Sequence, residues 1–138
     1  MKTIGYLGLG VMGYGMTSNL IDKSGTTIYG YDPVPALRER FAQRGGKALE
    51  TGQELYETCD IIFMCLPTNA IVKATITEIL ETAKPGTTLV DMGSTSPYVI
   101  QELHAAALKK GSQLLDSPVS GGEIGANGGT LVIMCGGE

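Results

Sequence analysis

The stretch Ile4-Gly5-Tyr6-Leu7-Gly8-Leu9-Gly10-Val11-Met12-Gly13 decides how this chain is read. A short apolar run breaks into G-x-G-x-x-G and then continues with helical spacing. Alone, three such glycines say little. Here they follow a strand-like run, open a helix and stand some 20 residues before an acid, Asp32, which closes a second apolar run from Thr26 to Tyr31. That is the context a dinucleotide-binding fingerprint requires. Gly8 permits the tight turn off the strand. Gly10 leaves room for a pyrophosphate to reach the backbone. Gly13 lets the helix pack closely on the strand. The free N–H groups of the helix's first turn then face the phosphates, together with Leu9, Val11 and Met12 of the loop. A P-loop is excluded, because no Gly-Lys-Ser/Thr follows the glycines.

Outward from this unit, strand and helix patterns alternate. Strands are predicted over Thr3–Leu7, Thr26–Tyr31, Ile61–Leu66, Thr87–Asp91, Gln113–Asp116 and Thr130–Cys135. Their continuous apolar character suits a parallel sheet covered on both faces. Helices are predicted from Val11 to Asp22, Pro35 to Arg44, Gln53 to Thr58, Thr68 or Asn69 to about Glu81, and from an N-cap at Ser96 to Lys110. The glycines beyond Gly121 predict an irregular loop. The expected architecture is α/β: a Rossmann-like, doubly wound, mostly parallel sheet with helices on both faces.

The bulk properties narrow the function. The 138 residues suit one domain with a core, and 43% hydrophobic and 17% charged residues describe a globular chain. A net charge of −4 argues against a nucleic-acid or anionic-membrane surface. No stretch is long and apolar enough to span a membrane, and the amino terminus lacks a signal-peptide pattern. Cys59, Cys65 and Cys135 form no C-x-x-C, and with the single His104 they make no zinc set. They read as buried, reduced thiols of a cytoplasmic protein.

Asp32 ends the second strand, where its carboxylate can accept hydrogen bonds from the adenosine ribose and repel a 2′-phosphate. Pro33 and Val34 follow, and the nearest cation is Arg38, so NAD is favoured over NADP. Asp32 could equally open the turn before Pro33, or do both. Leu66-Pro67-Thr68 and Ser94-Thr95-Ser96 stand at the C-terminal ends of successive strands, where ligands bind in open parallel sheets. Thr68 and Ser96 could serve only as helix caps. A second glycine-rich segment, Asp116-Ser117-Pro118-Val119-Ser120-Gly121-Gly122, offers exposed N–H groups and a hydroxyl for a substrate carboxylate, or is simply a connection between strands.

Together the run Gly8 to Leu20, the pair Tyr31-Asp32, Leu66-Pro67, the segment from Asp91 to Pro97 and the segment from Asp116 to Ala126 resemble the β-hydroxyacid dehydrogenases. This family includes 3-hydroxyisobutyrate dehydrogenase and tartronate semialdehyde reductase. The resemblance implies hydride exchange between a small β-hydroxyacid and NAD. It implies substrate binding by Ser120, Gly121 and Gly122, and a place for Ser94 beside the cofactor. It also implies a catalytic lysine, and no lysine follows Lys110. The family's lysine, and the helical domain that closes the site and makes the dimer, are therefore expected beyond Glu138. Residues 1–138 would then be an amino-terminal dinucleotide-binding domain with no catalytic residue of its own. Lys73, Lys84, Lys109 and Lys110 read as solvated charges. Two alternatives remain at this stage: a non-catalytic NAD-binding module, and an imine reductase on the same architecture.

Overall fold

The computed structural model describes residues 1–137; Glu138, the expected domain boundary, lies outside the described residues. The chain runs β1 (Ile4–Leu7), α1 (Val11–Lys23), β2 (Ile28–Tyr31), α2 (Pro35–Arg44), β3 (Lys47–Ala48), α3 (Gly52–Thr58), β4 (Ile61–Met64), α4 (Asn69–Thr82), β5 (Thr88–Asp91), α5 (Pro97–Lys109), β6 (Gln113–Asp116), β7 (Val119–Ser120), α6 (Gly122–Gly128) and β8 (Val132–Ile133). Six strands form one parallel sheet in the order β3-β2-β1-β4-β5-β6. The order reverses between β1 and β4, and such a switch point opens a crevice beyond the C-terminal strand ends. Among the described residues, no helix is long and apolar enough to cross a membrane.

Alternation along the strands builds two cores. Leu7, Ile62, Met64, Leu89 and Leu114 face one side and pack against Leu55 of α3, Val72, Ile76 and Ile79 of α4, and Leu103 of α5. Tyr6, Ile28 and Val90 face the other side and meet Met16 of α1, Phe41 of α2 and Ala126 of α6. The sheet is thus covered on both faces, as the unbroken apolar strands require.

Several expectations are corrected. The run Thr130–Cys135 does not join the parallel sheet. Only Val132–Ile133 is strand, and it pairs antiparallel with β7. Residues 121–131, with the seven-residue α6 among them, join the two strands of this separate ribbon. The glycine-rich stretch after Gly121 is not an irregular loop throughout, because α6 forms within it. Cys135 is exposed and Cys65 half-buried, so only Cys59 is a buried thiol. Ser96 occupies the N-cap position of α5, yet its side chain makes no capping bond. Its own N–H donates to Asn69 Oδ1 at 2.9 Å instead. Thr68 does cap α4, its hydroxyl accepting from the Ile71 N–H at 3.2 Å.

The start of β1 is pinned by Asp60, just before β4. Asp60 Oδ1 accepts from Lys84 Nζ at 2.8 Å, and Oδ2 accepts from the Thr3 N–H and hydroxyl, each at 2.8 Å. The Lys84 hydrogen bond, and then those from Thr3, hold this carboxyl well below the usual carboxylate range. A lowered folded-state pKa contributes stability above the unfolded value, about 4, and that contribution is lost as pH falls through the folded value. Asp60→Asn should therefore lower the urea midpoint at neutral pH. The gap from wild type should narrow from about pH 5 towards pH 2. A gap independent of pH would show that the ionised form is not what holds this corner.

Candidate functional site

The glycine loop lies at the switch point. Gly8 leaves β1 with φ +89°, a conformation a side chain would resist, and its N–H donates to Tyr31 O at 3.1 Å. A Cβ on Gly13 would run into the carbonyl oxygen of Gly8, so only glycine allows α1 to sit this close to β1. Gly10 is the N-cap of α1 with φ −69° and ψ −160°, extended backbone open to any residue. Around its missing Cβ there is no protein atom within 4 Å. Gly10 thus faces open space at the edge of the cleft, which it lines. The first turn of α1 has neither a side-chain cap nor an acidic residue, so its N–H groups are offered outward.

Asp32 is buried and occupied on both oxygens. Oδ2 accepts from the Leu9 N–H and Oδ1 from the Val34 N–H, each at 2.9 Å. The turn reading from sequence holds, through Val34; the clasp on the glycine loop, through Leu9, was not anticipated. Each oxygen keeps a further lone pair for a ligand hydroxyl. Arg38 is engaged by the backbone, its Nη1 donating to the Asp32 carbonyl at 2.9 Å and the Pro33 carbonyl at 3.3 Å.

A cleft of about 690 Å³ runs along this edge. Gly8, Gly10, Val11, Met12, Gly13, Asp32, Leu66 and Pro67 line it, so eight of the predicted cofactor residues come together. Leu9 contributes its backbone N–H while its side chain is fully buried. Ser94 is exposed and outside the lining. Ser120, Gly121 and Gly122 are exposed beyond β6 and also outside it. Sequence reasoning missed the far wall, formed by Val34, Leu37, Tyr56, Ile71, Thr75 and Glu78. Only the helical spacing of these residues marks them, and that spacing equally fits core packing. None of the lysines lines the cleft.

At the C-terminal ends of β4, β5 and β6 stand ionisable groups drawn out of water. Asp91 is fully buried. Its carboxylate accepts from the Gly93 N–H at 3.0 Å and the Thr95 hydroxyl at 2.5 Å. Burial pushes its pKa up. Asp116, its partner in register, is pushed up by burial and by Asp91. Burial and then Asp91 raise the Cys65 thiol, which stays protonated at neutral pH.

The arrangement fits a dinucleotide: an open glycine cradle under an uncapped helix, with a carboxylate at the adjacent strand end. Comparison with known proteins agrees. The family model described as the NAD binding domain of 6-phosphogluconate dehydrogenase matches residues 3–138. The 2-(hydroxymethyl)glutarate dehydrogenase of Eubacterium barkeri is 40% identical over 136 residues, 96% of this chain and 45% of that protein. The solved structure of Mycobacterium tuberculosis 3-hydroxyisobutyrate dehydrogenase with L-serine superposes with a TM-score of 0.94 at 37% identity, covering 100% of this chain and 47% of that one. The chain therefore spans about half the length of the relatives it matches.

Proposed function

Because the chain belongs to the family of the NAD binding domain of 6-phosphogluconate dehydrogenase, we propose that it is the cofactor domain of a longer, NAD-preferring β-hydroxyacid dehydrogenase. The observation that carries the cofactor half is the cradle at Gly10, empty of protein atoms beneath the uncapped first turn of α1. The substrate half is supported by the names of the similar proteins, 3-hydroxyisobutyrate dehydrogenase and 2-(hydroxymethyl)glutarate dehydrogenase. Both names denote acids with a hydroxyl on the β-carbon. The substrate would be of the 3-hydroxyisobutyrate or glycerate/tartronate semialdehyde type.

When bound, the nicotinamide supplies the hydride acceptor. The residues of this chain bind and orient it. The α1 N–H groups take the pyrophosphate, and Asp32 takes the ribose. Leu66 and Pro67 form an apolar wall, and Ser94 stands at the neighbouring strand end. Ser120, Gly121 and Gly122 hold the hydroxyacid carboxylate. Orientation of this kind is itself a large part of catalysis. Proton exchange with the substrate hydroxyl falls to a lysine outside residues 1–138, contributed with the domain that closes the site and makes a homo-oligomer.

The gene product that carries these residues should bind NADH more tightly than NADPH in a fluorescence titration. Asp32→Ala should weaken NADH binding and narrow that preference, because it removes both the ribose acceptor and the clasp on Leu9. NADPH binding as tight as NADH would overturn the cofactor assignment. The same protein should form NADH with β-hydroxyacids, while residues 1–138 alone should bind cofactor without turnover. Comparable activity in both would put the base within this chain. Turnover of cyclic imines in place of hydroxyacids would support an imine reductase, and cofactor binding without either reaction a non-catalytic module.

A further inference from the structure

Helix α1 holds more than the cofactor loop. One end, Gly10 to Gly13, faces the cleft. Farther along, the same helix supports α6. The side-chain amide of Asn19 donates to the carbonyl of Ala126 at 2.8 Å, and shares its two hydrogens with the carbonyls of Asn127, also in the last turn of α6, at 3.2 Å and of Gly15 in α1 at 3.1 Å. The helices touch at Gly15, where a Cβ would lie 2.6 Å from Asn127 Oδ1 and 2.9 Å from the Ala126 carbonyl carbon. Asn19 Oδ1 and Lys23 Nζ close over Gly129, the left-handed C-cap of α6.

This support matters because α6 has little stability of its own. Its seven residues, Gly-Glu-Ile-Gly-Ala-Asn-Gly, include three glycines, and an isolated helix of that length and composition does not persist. Its place is set by where α1 holds it. α6 begins at Gly122, directly after Ser120 and Gly121, and Gly125 N–H donates to Gly121 O at 3.0 Å. Wherever α6 sits, the Ser120-Gly121-Gly122 loop follows.

We propose that Asn19 is a positioning residue for the hydroxyacid site: its two hydrogen bonds to α6 fix the Ser120-Gly121-Gly122 loop relative to the helix that receives the cofactor. This inference rests on the reading that the loop binds the hydroxyacid. Asn19 does not line the cofactor cleft, so its loss should act on the substrate and leave the cofactor alone.

The test uses the gene product that carries these residues, with steady-state kinetics on 3-hydroxyisobutyrate and NADH titration on the same samples. Asn19→Ala should raise the hydroxyacid KM and lower kcat/KM by roughly ten- to a hundredfold, the range a displacement of about 1 Å produces. NADH affinity should stay within about twofold of wild type. Gly15→Ala reaches the same end by another route. It favours α1 itself but forces α6 away, so it answers the question even if Asn19→Ala does not fold. Ile76→Val, in the core on α4, is the control for general loosening and should leave the hydroxyacid KM unchanged. An unchanged KM in Asn19→Ala or Gly15→Ala would overturn the inference. So would equal losses of NADH affinity and kcat/KM, which would make Asn19 merely structural. Wild-type protein that binds NADH without turning over any β-hydroxyacid overturns the functional reading itself, and the wild-type assay alone reveals that case.

Discussion

Gly10→Val is expected to abolish dinucleotide binding while leaving the fold intact. The expectation rests on a contrast between neighbouring positions of one loop. At Gly10 the backbone is extended, and a side chain would meet no protein atom within 4 Å. Valine is a poorer N-cap than glycine, which costs α1 at most about 1 kcal/mol. Its two methyl groups would stand where the proposed site receives the pyrophosphate. The loss of NADH affinity should be at least about a hundredfold, or roughly 3 kcal/mol. The thermal midpoint should move by only a few degrees. Fluorescence titration and circular dichroism on one sample decide the matter, and undiminished binding would mean that the phosphates lie elsewhere.

Gly13→Ala is expected to do the reverse. Alanine is the better helix former by about 1 kcal/mol. Here that gain is overwhelmed, because the new methyl would collide with the backbone carbonyl of Gly8. Backbone on both sides leaves no flexible group to yield, so α1 must move off β1 and carry its contacts to Tyr6 and Leu9 with it. A net destabilisation of about 3 kcal/mol or more is expected, at the upper end of the overpacking range. Urea unfolding measures it directly. A variant as stable as wild type would show that helix and strand are not locked together at this point.

The sequence made legible what periodicity and punctuation determine. Five strands of the main sheet and five helices lie where apolar runs, proline and glycine place them; α2, with Pro35 at its start and Gly45 after its end, matches at both bounds. The glycine loop was legible because its spacing is that of the fingerprint, and at Gly8 and Gly13 the protein itself imposes the steric demand. The edge strand β3 was not, since Lys47–Ala48 is too short to display a period. α6 was hidden for a different reason. Its composition argues against a helix, and it forms because Asn19 and Gly15, more than a hundred residues earlier in the chain, give it a surface. The fate of Thr130–Cys135 was equally nonlocal. An apolar run predicts burial, yet Val132 and Ile133 remain 61% and 53% exposed on their two-stranded ribbon. Of the residues read at strand ends, Asp32, Leu66 and Pro67 line the cleft and Ser94 does not. The wall from α2, α3 and α4 could not be read, because lining a cleft and lining a core leave the same pattern on a helix.

Asp32 bears on how such a domain changes its diet of cofactors. The carboxylate proposed to discourage a 2′-phosphate is also the acceptor for the Leu9 amide inside the molecule. Replacing it with a cation to welcome NADP would orphan that amide, at a cost of about 1–3 kcal/mol, before any gain in recognition. Evolution, or an engineer, therefore meets a ridge at this position. The easier path passes through asparagine or serine, which keep an oxygen for Leu9 while shedding the charge, and recruits a cation from another position afterwards. Cofactor preference in this domain is inherited together with the stability of its glycine loop, and the two have to be renegotiated together.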